Sequence, residues 1–217
     1  LLHPGGVHET HVLGHKLDLF SVDEEIGAGL ILWHPKGATL RTVVEDYWRR
    51  EHRRRGYQLV YTPHIASYKI YEQSGHLESY ADNMYSPMDI DGTDYYVKPM
   101  NCPGHIKIYK SHMRSYRELP LRICELGTVY RYERSGVLHG MLRVRGFTQD
   151  DSHIFCTPEQ VVDEVLGVLD FLQEMMDIFG YEYQAYLSTR PEKSIGDDES
   201  WERATASLIE ALKKADM

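Results

Sequence analysis

A chain of 217 residues with 33 acidic against 24 basic side chains, net charge −9, has no overall basic surface for neutralising a phosphate backbone, so indiscriminate nucleic-acid binding is excluded as its task. With 42% hydrophobic residues it can bury one sizeable core, and no run of about 18 apolar residues is present to cross a membrane as a helix. Residues 1–10 lack the basic and apolar regions of a secretory signal, and three cysteines suit a reducing compartment, which makes the cytoplasm the expected location.

The first strong periodicity runs through Leu40, Val43, Val44, Tyr47 and Trp48, spaced as one face of a helix, with Pro35 ahead of it and Gly56 placed to end it. Arg49, Arg50, Arg53, Arg54 and Arg55 crowd its last turns, where cations favour the negative end of the helix dipole; the cluster reads as structural rather than as a landing site for RNA. Residues 57–61 follow as a strand that stops at Pro63. Residues 68–83 hold a helix and a loop, residues 95–98 a strand after the Asp91-Gly92 turn, and residues 105–116 another helix.

The most informative stretch begins at Leu121. Leu121, Ile123, Val129, Tyr130 and Tyr132 are β-rich, Ser135-Gly136 and His139-Gly140 interrupt them as turns do, and Gly146 through Phe155 read as a second strand. A long antiparallel hairpin is expected. Side chains two apart share a face, so Phe147, Gln149, Asp151 and His153 should stand together, and a face that polar meets water or lines a binding cavity. Arg131 offers a planar fork suited to phosphate, Glu133 shares its face, and Arg143 and Arg145 repeat the spacing on the return arm. Such residues either grip an anionic nucleotide or form exposed ion pairs of little energetic weight, and residue types alone leave both open.

Past the hairpin, Thr157-Pro158-Glu159-Gln160 has the N-cap threonine, first-position proline and glutamine of a capping box. Val161, Val162, Val165, Leu169, Leu172, Met176 and Phe179 continue as a helix that Gly180 closes; residues 181–187 alternate as a strand, and residues 191–200 are polar enough for an exposed loop. Trp201, Ala204, Leu208, Ile209 and Leu212 form a last helical stripe. Cys124 and Cys156 fall in strand-like sequence and read as inert core thiols, while Cys102 stands apart beside proline and glycine. Strands at the centre with helices between them predict an α+β fold, an antiparallel sheet flanked by helices.

Arg131-Tyr132-Glu133, followed by the loop and Arg143-Val144-Arg145-Gly146-Phe147-Thr148-Gln149-Asp150-Asp151-Ser152-His153, resembles motif 2 of the class II aminoacyl-tRNA synthetases, and is closest to the threonyl-tRNA synthetase family. Lys98-Pro99-Met100-Asn101-Cys102-Pro103-Gly104-His105 is similar to that family's zinc-cysteine segment, and Leu17-Asp18-Leu19-Phe20-Ser21 to the opening of its catalytic domain. The helix, strand and proline around residues 35–63 look like motif 1, which in this class builds a homodimer interface. The resemblance implies that threonine and ATP, accompanied by Mg2+, give threonyl-adenylate, and that threonine then passes to tRNA(Thr).

In that scheme Arg131 grips the α-phosphate and stabilises charge that develops during attack. Glu133 meets the adenine amino group, Arg143 the outer phosphates or the tRNA end, and Gln149 the adenylate; Met100, Cys102, Gln149, Asp151 and His153 line the threonine side. Threonine differs from valine by a hydroxyl in place of a methyl, which an apolar pocket separates poorly and a metal with an open position can separate well. The family uses one cysteine and two histidines for zinc, and Cys102 and His153 match the first two. The third ligand and motif 3 lie well downstream in the family, and nothing after Arg190 resembles either. Residues 1–217 are thus expected to be one partial catalytic domain, incomplete at its C-terminal end, without motif 3, editing or anticodon-binding domains. His105 gives a Cys-x-x-His spacing that zinc accepts, but its place in a Pro103-initiated helix reads as structural. A class II enzyme for serine or proline, and a catalytically silent module derived from a synthetase, are the alternatives.

Overall fold

The computed structural model describes residues 12–191, 194 and 196–217. The leader reading of residues 1–10 lies outside them. Two compact units emerge: one takes the described residues up to Arg114 together with Arg122–His153, the other Ser115–Leu121 with Ile154–Met217.

The first unit carries three small sheets. β1 (Phe20–Val22) and β2 (Ile31–Trp33) pair antiparallel; β3 (Gln58–Leu59), β7 (Leu121–Tyr130) and β8 (Gly146–Phe155) lie in that order; and β4 (Ile65–Ser67), β6 (Thr93–Val97) and β5 (Met88–Ile90) form the third, both its pairings antiparallel. β3 joins β7 in parallel, so the central sheet is mixed at one edge. The hairpin is present: the Arg131 N–H donates to the Arg145 carbonyl at 2.8 Å near the turn, and Thr128 and Thr148 hydroxyls meet at 2.8 Å farther in. β7 ends at Tyr130, so Arg131 and Glu133 stand just past the strand rather than within it.

α1 (Pro35–Arg54) packs on β2 and β3, and α2 (Tyr68–Gln73) on β4 and β6, followed by the short α3 (His76–Ser79). Pro35 occupies the first turn of α1, where its missing N–H leaves nothing unpaired, and Gly56 beyond the end takes φ 80, which suits a residue without a Cβ. The apolar stripe of α1 divides: Trp48 is buried, while Leu40 and Val43 are 54% and 62% exposed. The arginine cluster is largely paired within the helix, Arg49 to Glu45 and Asp46, Arg50 and Arg54 to Glu51. Trp48, Tyr71, Ile123, Cys124 and Val129 make the core of this unit.

The helix expected over residues 105–116 starts earlier and ends sooner, as α4 (Cys102–Tyr109). Pro103 fits only the first turn, which pulls the start back to Cys102, and a separate turn at Tyr116–Glu118 is capped by Ser115. In the second unit the Gln160 side chain accepts the Thr157 N–H at 2.9 Å, as a capping box requires, and α5 (Val161–Phe179) follows until Gly180 turns left-handed. α6 (Asp198–Lys214), opened by Asp197 accepting the Ser200 N–H at 2.7 Å, packs against α5. Helix thus begins inside the stretch 191–200 that reads as loop. Residues 181–187 form no strand: alternation alone does not make one without a neighbouring edge, and Tyr181, Tyr183 and Tyr186 remain exposed. Cys124 is buried as expected, whereas Cys156 is only half-buried. Among the described residues no helix is long and apolar enough to cross a membrane.

Candidate functional site

β8 sorts its side chains by parity. Thr148, Asp150 and Ser152 face α1: Arg41 donates to the Thr148 hydroxyl at 2.8 Å, and His52 Nε2 lies 3.3 Å from Asp150 and 3.4 Å from Ser152. Phe147, Gln149, Asp151 and His153 take the opposite face, as the period-two pattern predicts. There the Phe147 ring underlies the Arg131 guanidinium at 5.1 Å, Asp151 accepts the Asn101 amide at 2.9 Å, and His153 meets His105 at 2.7 Å.

Arg131 is held without being neutralised. Its Nε–H donates to the Pro99 carbonyl at 3.2 Å, and Tyr80 and Phe147 lie against its guanidinium, with no carboxylate among its partners in the described residues. The other arginines differ. Arg143 donates to Glu133 Oε2 at 3.1 Å, and Arg145 is tied to the carbonyls of Glu133 and Ala28 and to the Ser135 hydroxyl. Gly29 lets the strap approach: at φ 76 its carbonyl receives the Arg145 and Gly146 N–H groups, and a Cβ there would press on the Arg145 backbone. Of Arg131, Arg143 and Arg145, Arg131 therefore keeps its terminal nitrogens for an anion, and Glu133 is held through a single oxygen.

Cys102, at the start of α4, is half-buried; burial and the Asp151 charge push its thiol up, partly offset by Arg131. Burial likewise pushes the His153 imidazole down, which favours its neutral form, against the pull of Asp151. Cys102 and His153 thus both feel the Asp151 carboxylate, and all three belong to one electrostatic neighbourhood with Arg131. Met100 sits with its sulfur 3.2 Å from His76 Nε2. Behind α4 lies a cavity of about 360 Å³ walled by Tyr61, Ile70, Lys98, Met100 and Ile108; Arg131, Cys102, Asp151 and His153 are not in its lining.

Three residues support this site: Asn101 and His105, which the sequence places in the segment 98–105 without a role at the site, and Glu125, which it does not single out. Asn101 is buried and reaches Asp151 across Gly127, where a Cβ would fall inside the amide; the glycine in an otherwise apolar strand is the cradle for that side chain. Glu125 is buried in the same strand, paired with Lys98 at 3.5 Å and His105 at 3.1 Å and accepting the Thr62 N–H at 2.8 Å. A lone carboxylate between Cys124 and Leu126 was the available signal, since a buried charge must find partners. His105 spends both ring nitrogens, one on Glu125 and one on His153, and leaves none for a metal.

The donor chemistry fits zinc in part. A thiol at Cys102 and the Nε2 of His153, which has no protein partner among the described residues, are two ligands of the kinds zinc takes. Among the described residues no three His, Cys, Asp or Glu groups gather to hold a metal ion.

Comparison with known proteins follows the same line. Residues 85–214 match the model of the tRNA synthetase class II core domain (G, H, P, S and T). The chain is 61% identical over 201 residues to a threonine–tRNA ligase of Pelobacter propionicus, covering 93% of the chain and 31% of the relative. It is 61% identical over 202 residues to a threonine–tRNA ligase of Aquifex aeolicus, covering 93% of the chain and 32% of the relative. Among solved structures it resembles the RNA binding domain of threonyl-tRNA synthetase from Cryptosporidium parvum, with a TM-score of 0.89 at 41% identity over 95% of the chain and 52% of that structure. The chain spans about a third of the length of the curated relatives it matches, 31% and 32% in these two.

Proposed function

The chain belongs to the class II tRNA synthetase core family, and from that premise we propose that it is the part of a threonine–tRNA ligase that binds ATP and threonine, forms threonyl-adenylate and passes threonine to tRNA(Thr). The observation that carries the reading is Arg131: a guanidinium fixed by a carbonyl and two rings, with no acidic partner, at the end of a strand whose neighbour presents Gln149, Asp151 and His153. A cation held rigid and left unpaired is a preorganised partner for phosphate.

Arg131 would receive the α-phosphate and the charge that develops as the threonine carboxylate attacks in line and the α–β phosphoanhydride bond breaks to release pyrophosphate. Glu133, with one oxygen engaged by Arg143, would offer the other to the adenine amino group, and Arg143 would swing toward the outer phosphates that arrive with Mg2+. Asp151, oriented by Asn101, would accept from the threonine ammonium or hydroxyl, with Met100 and Gln149 beside it. Cys102 and His153 would contribute two ligands to zinc. When bound, zinc would act as a Lewis acid that reads the amino and hydroxyl groups of threonine and so separates it from valine.

The test is threonine-dependent ATP–pyrophosphate exchange, with serine and valine as competitors and zinc supplied, on this chain and on one extended to the length of its relatives. Exchange selective for threonine in either supports the reading. Exchange with serine or proline instead, or none in the extended protein, refutes it; in the latter case a nucleotide-binding module without catalysis remains.

Homodimerisation belongs to the same proposal. Leu40 and Val43 are exposed on α1, and Tyr61, just beyond β3, is 74% exposed, which is the apolar surface a second copy would cover. Replacing Leu40 and Val43 together with aspartate should weaken the dimer at least tenfold in analytical ultracentrifugation without loss of helix signal. A dimer as tight as the wild type would remove this surface from the interface. With three free cysteines, the cytoplasm is the proposed location.

A further inference from the structure

We propose that Glu125 and His105 are positioning residues that hold the His153 ring with Nδ1 protonated and Nε2 as its lone-pair nitrogen, so that Nε2 is the donor offered to a divalent cation. The inference deepens the zinc reading above and rests on it for the identity of the cation, while the assignment of the nitrogens stands on the chain's own contacts.

Glu125 is buried and ionised: burial alone would raise its carboxyl, but hydrogen bonds from His105 and Thr62 and the Lys98 charge outweigh that and bring it down to about 2. An ionised carboxylate only accepts, so the nitrogen of His105 that lies 3.1 Å from Oε2, its Nε2, carries the proton. Lys98 also lies 3.5 Å from this carboxylate, and His105 is 0% exposed; with Nε2 turned to Glu125, the Nδ1 of His105 is the nitrogen left to accept, through its lone pair. That lone pair faces His153 Nδ1 at 2.7 Å, a distance that requires a proton between them, and only His153 can supply it. The two rings meet edge to face, centroids 4.6 Å apart, which aligns an N–H in one plane with the lone pair in the other and fixes the His153 ring as well as its tautomer. Asp151, 3.7 Å from the same Nδ1, favours the proton on that side. Nε2 of His153, with no protein partner among the described residues, is what remains on a half-buried ring beside Asp151 and Cys102. A carboxylate behind a histidine is the usual way to orient a metal-binding imidazole. Here one more histidine lengthens the chain, reaching from strand β7 through helix α4 to strand β8.

Long-range 1H–15N correlation spectra of the 15N-labelled, metal-free chain read each ring directly. The expected result is His153 protonated at Nδ1 and His105 at Nε2, with sharp signals for both. His153 protonated at Nε2, or an even mixture, overturns the proposal in the wild-type chain, where no variant can obscure it by unfolding. His105→Asn and Glu125→Gln should convert His153 to a mixture, and the zinc titration of the same samples should show affinity lowered about 10- to 100-fold. Variants that keep the Nδ1–H form of His153 refute the positioning role. Cys102→Ser separates the two readings: zinc binding by wild type that Cys102→Ser weakens supports the metal assignment, whereas no zinc binding by wild type refutes that assignment and leaves the tautomer to decide this one.

Discussion

Arg131→Ala should lower threonine-dependent ATP–pyrophosphate exchange by about a hundred- to a thousandfold, the loss seen when one preorganised donor to developing charge is removed, or roughly 2.7–4 kcal/mol of transition-state stabilisation. The size follows from what holds the side chain. Its Nε is committed to the Pro99 carbonyl, and Phe147 and Tyr80 fix the plane of the guanidinium, so the terminal nitrogens are delivered to one place without a carboxylate to displace first. A ligand phosphate gains that charge in a half-buried setting, where it is worth more than in water.

Arg131→Lys should recover little. An ammonium keeps the charge but loses both the fork and the flat contact with the rings, and cannot donate to Pro99 while reaching the ligand. The fold should survive, because what alanine forfeits are two ring contacts worth about 0.5–1 kcal/mol each and one hydrogen bond. Steady-state exchange at varied ATP, with circular dichroism as the control, distinguishes this from misfolding. An Arg131→Ala protein that exchanges within about threefold of wild type would break the assignment of the anion to this side chain.

What the sequence made legible was set by period. The β8 face of Phe147, Gln149, Asp151 and His153 could be read because a strand alternates strictly, and β8 spans all four. Period says which residues share a side and not what covers that side. Leu40 and Val43 share a face of α1 yet stay exposed, and residues 181–187 alternate without an edge to pair with. The neutralisation of Arg143 by Glu133 and the tying of Arg145 to backbone carbonyls depend on where the turn closes, so three similar arginines acquire three different fates. The support behind the site was least visible. Asn101 with Gly127, and Glu125 with His105, are joined by packing across strands, and no local spacing encodes those contacts.

Glu125→Ala should be the most destabilising single change in the site, costing about 3–5 kcal/mol at neutral pH, because it strands Lys98 in the interior without its counter-charge and takes the acceptor from His105. The same network makes a pH prediction with a definite sign. The Glu125 carboxyl lies at about 2 in the folded chain against an ordinary 4.5, so the unfolded chain binds the proton more readily. Its contribution is therefore complete above about pH 4.5 and is lost as pH falls from there toward about 2, on the order of 3 kcal/mol in all. Urea unfolding at pH 7, 4.5 and 3 measures both effects. The gap between wild type and Glu125→Ala should be widest at pH 7 and narrow on acidification, since below about pH 4.5 the unfolded wild-type chain gains the proton that folded Glu125 resists. A gap that stays constant down to pH 3 would mean that the variant costs volume and packing rather than charge. Glu125→Gln, which keeps the volume and loses the charge, should then match the wild type at every pH instead of converging on it only in acid.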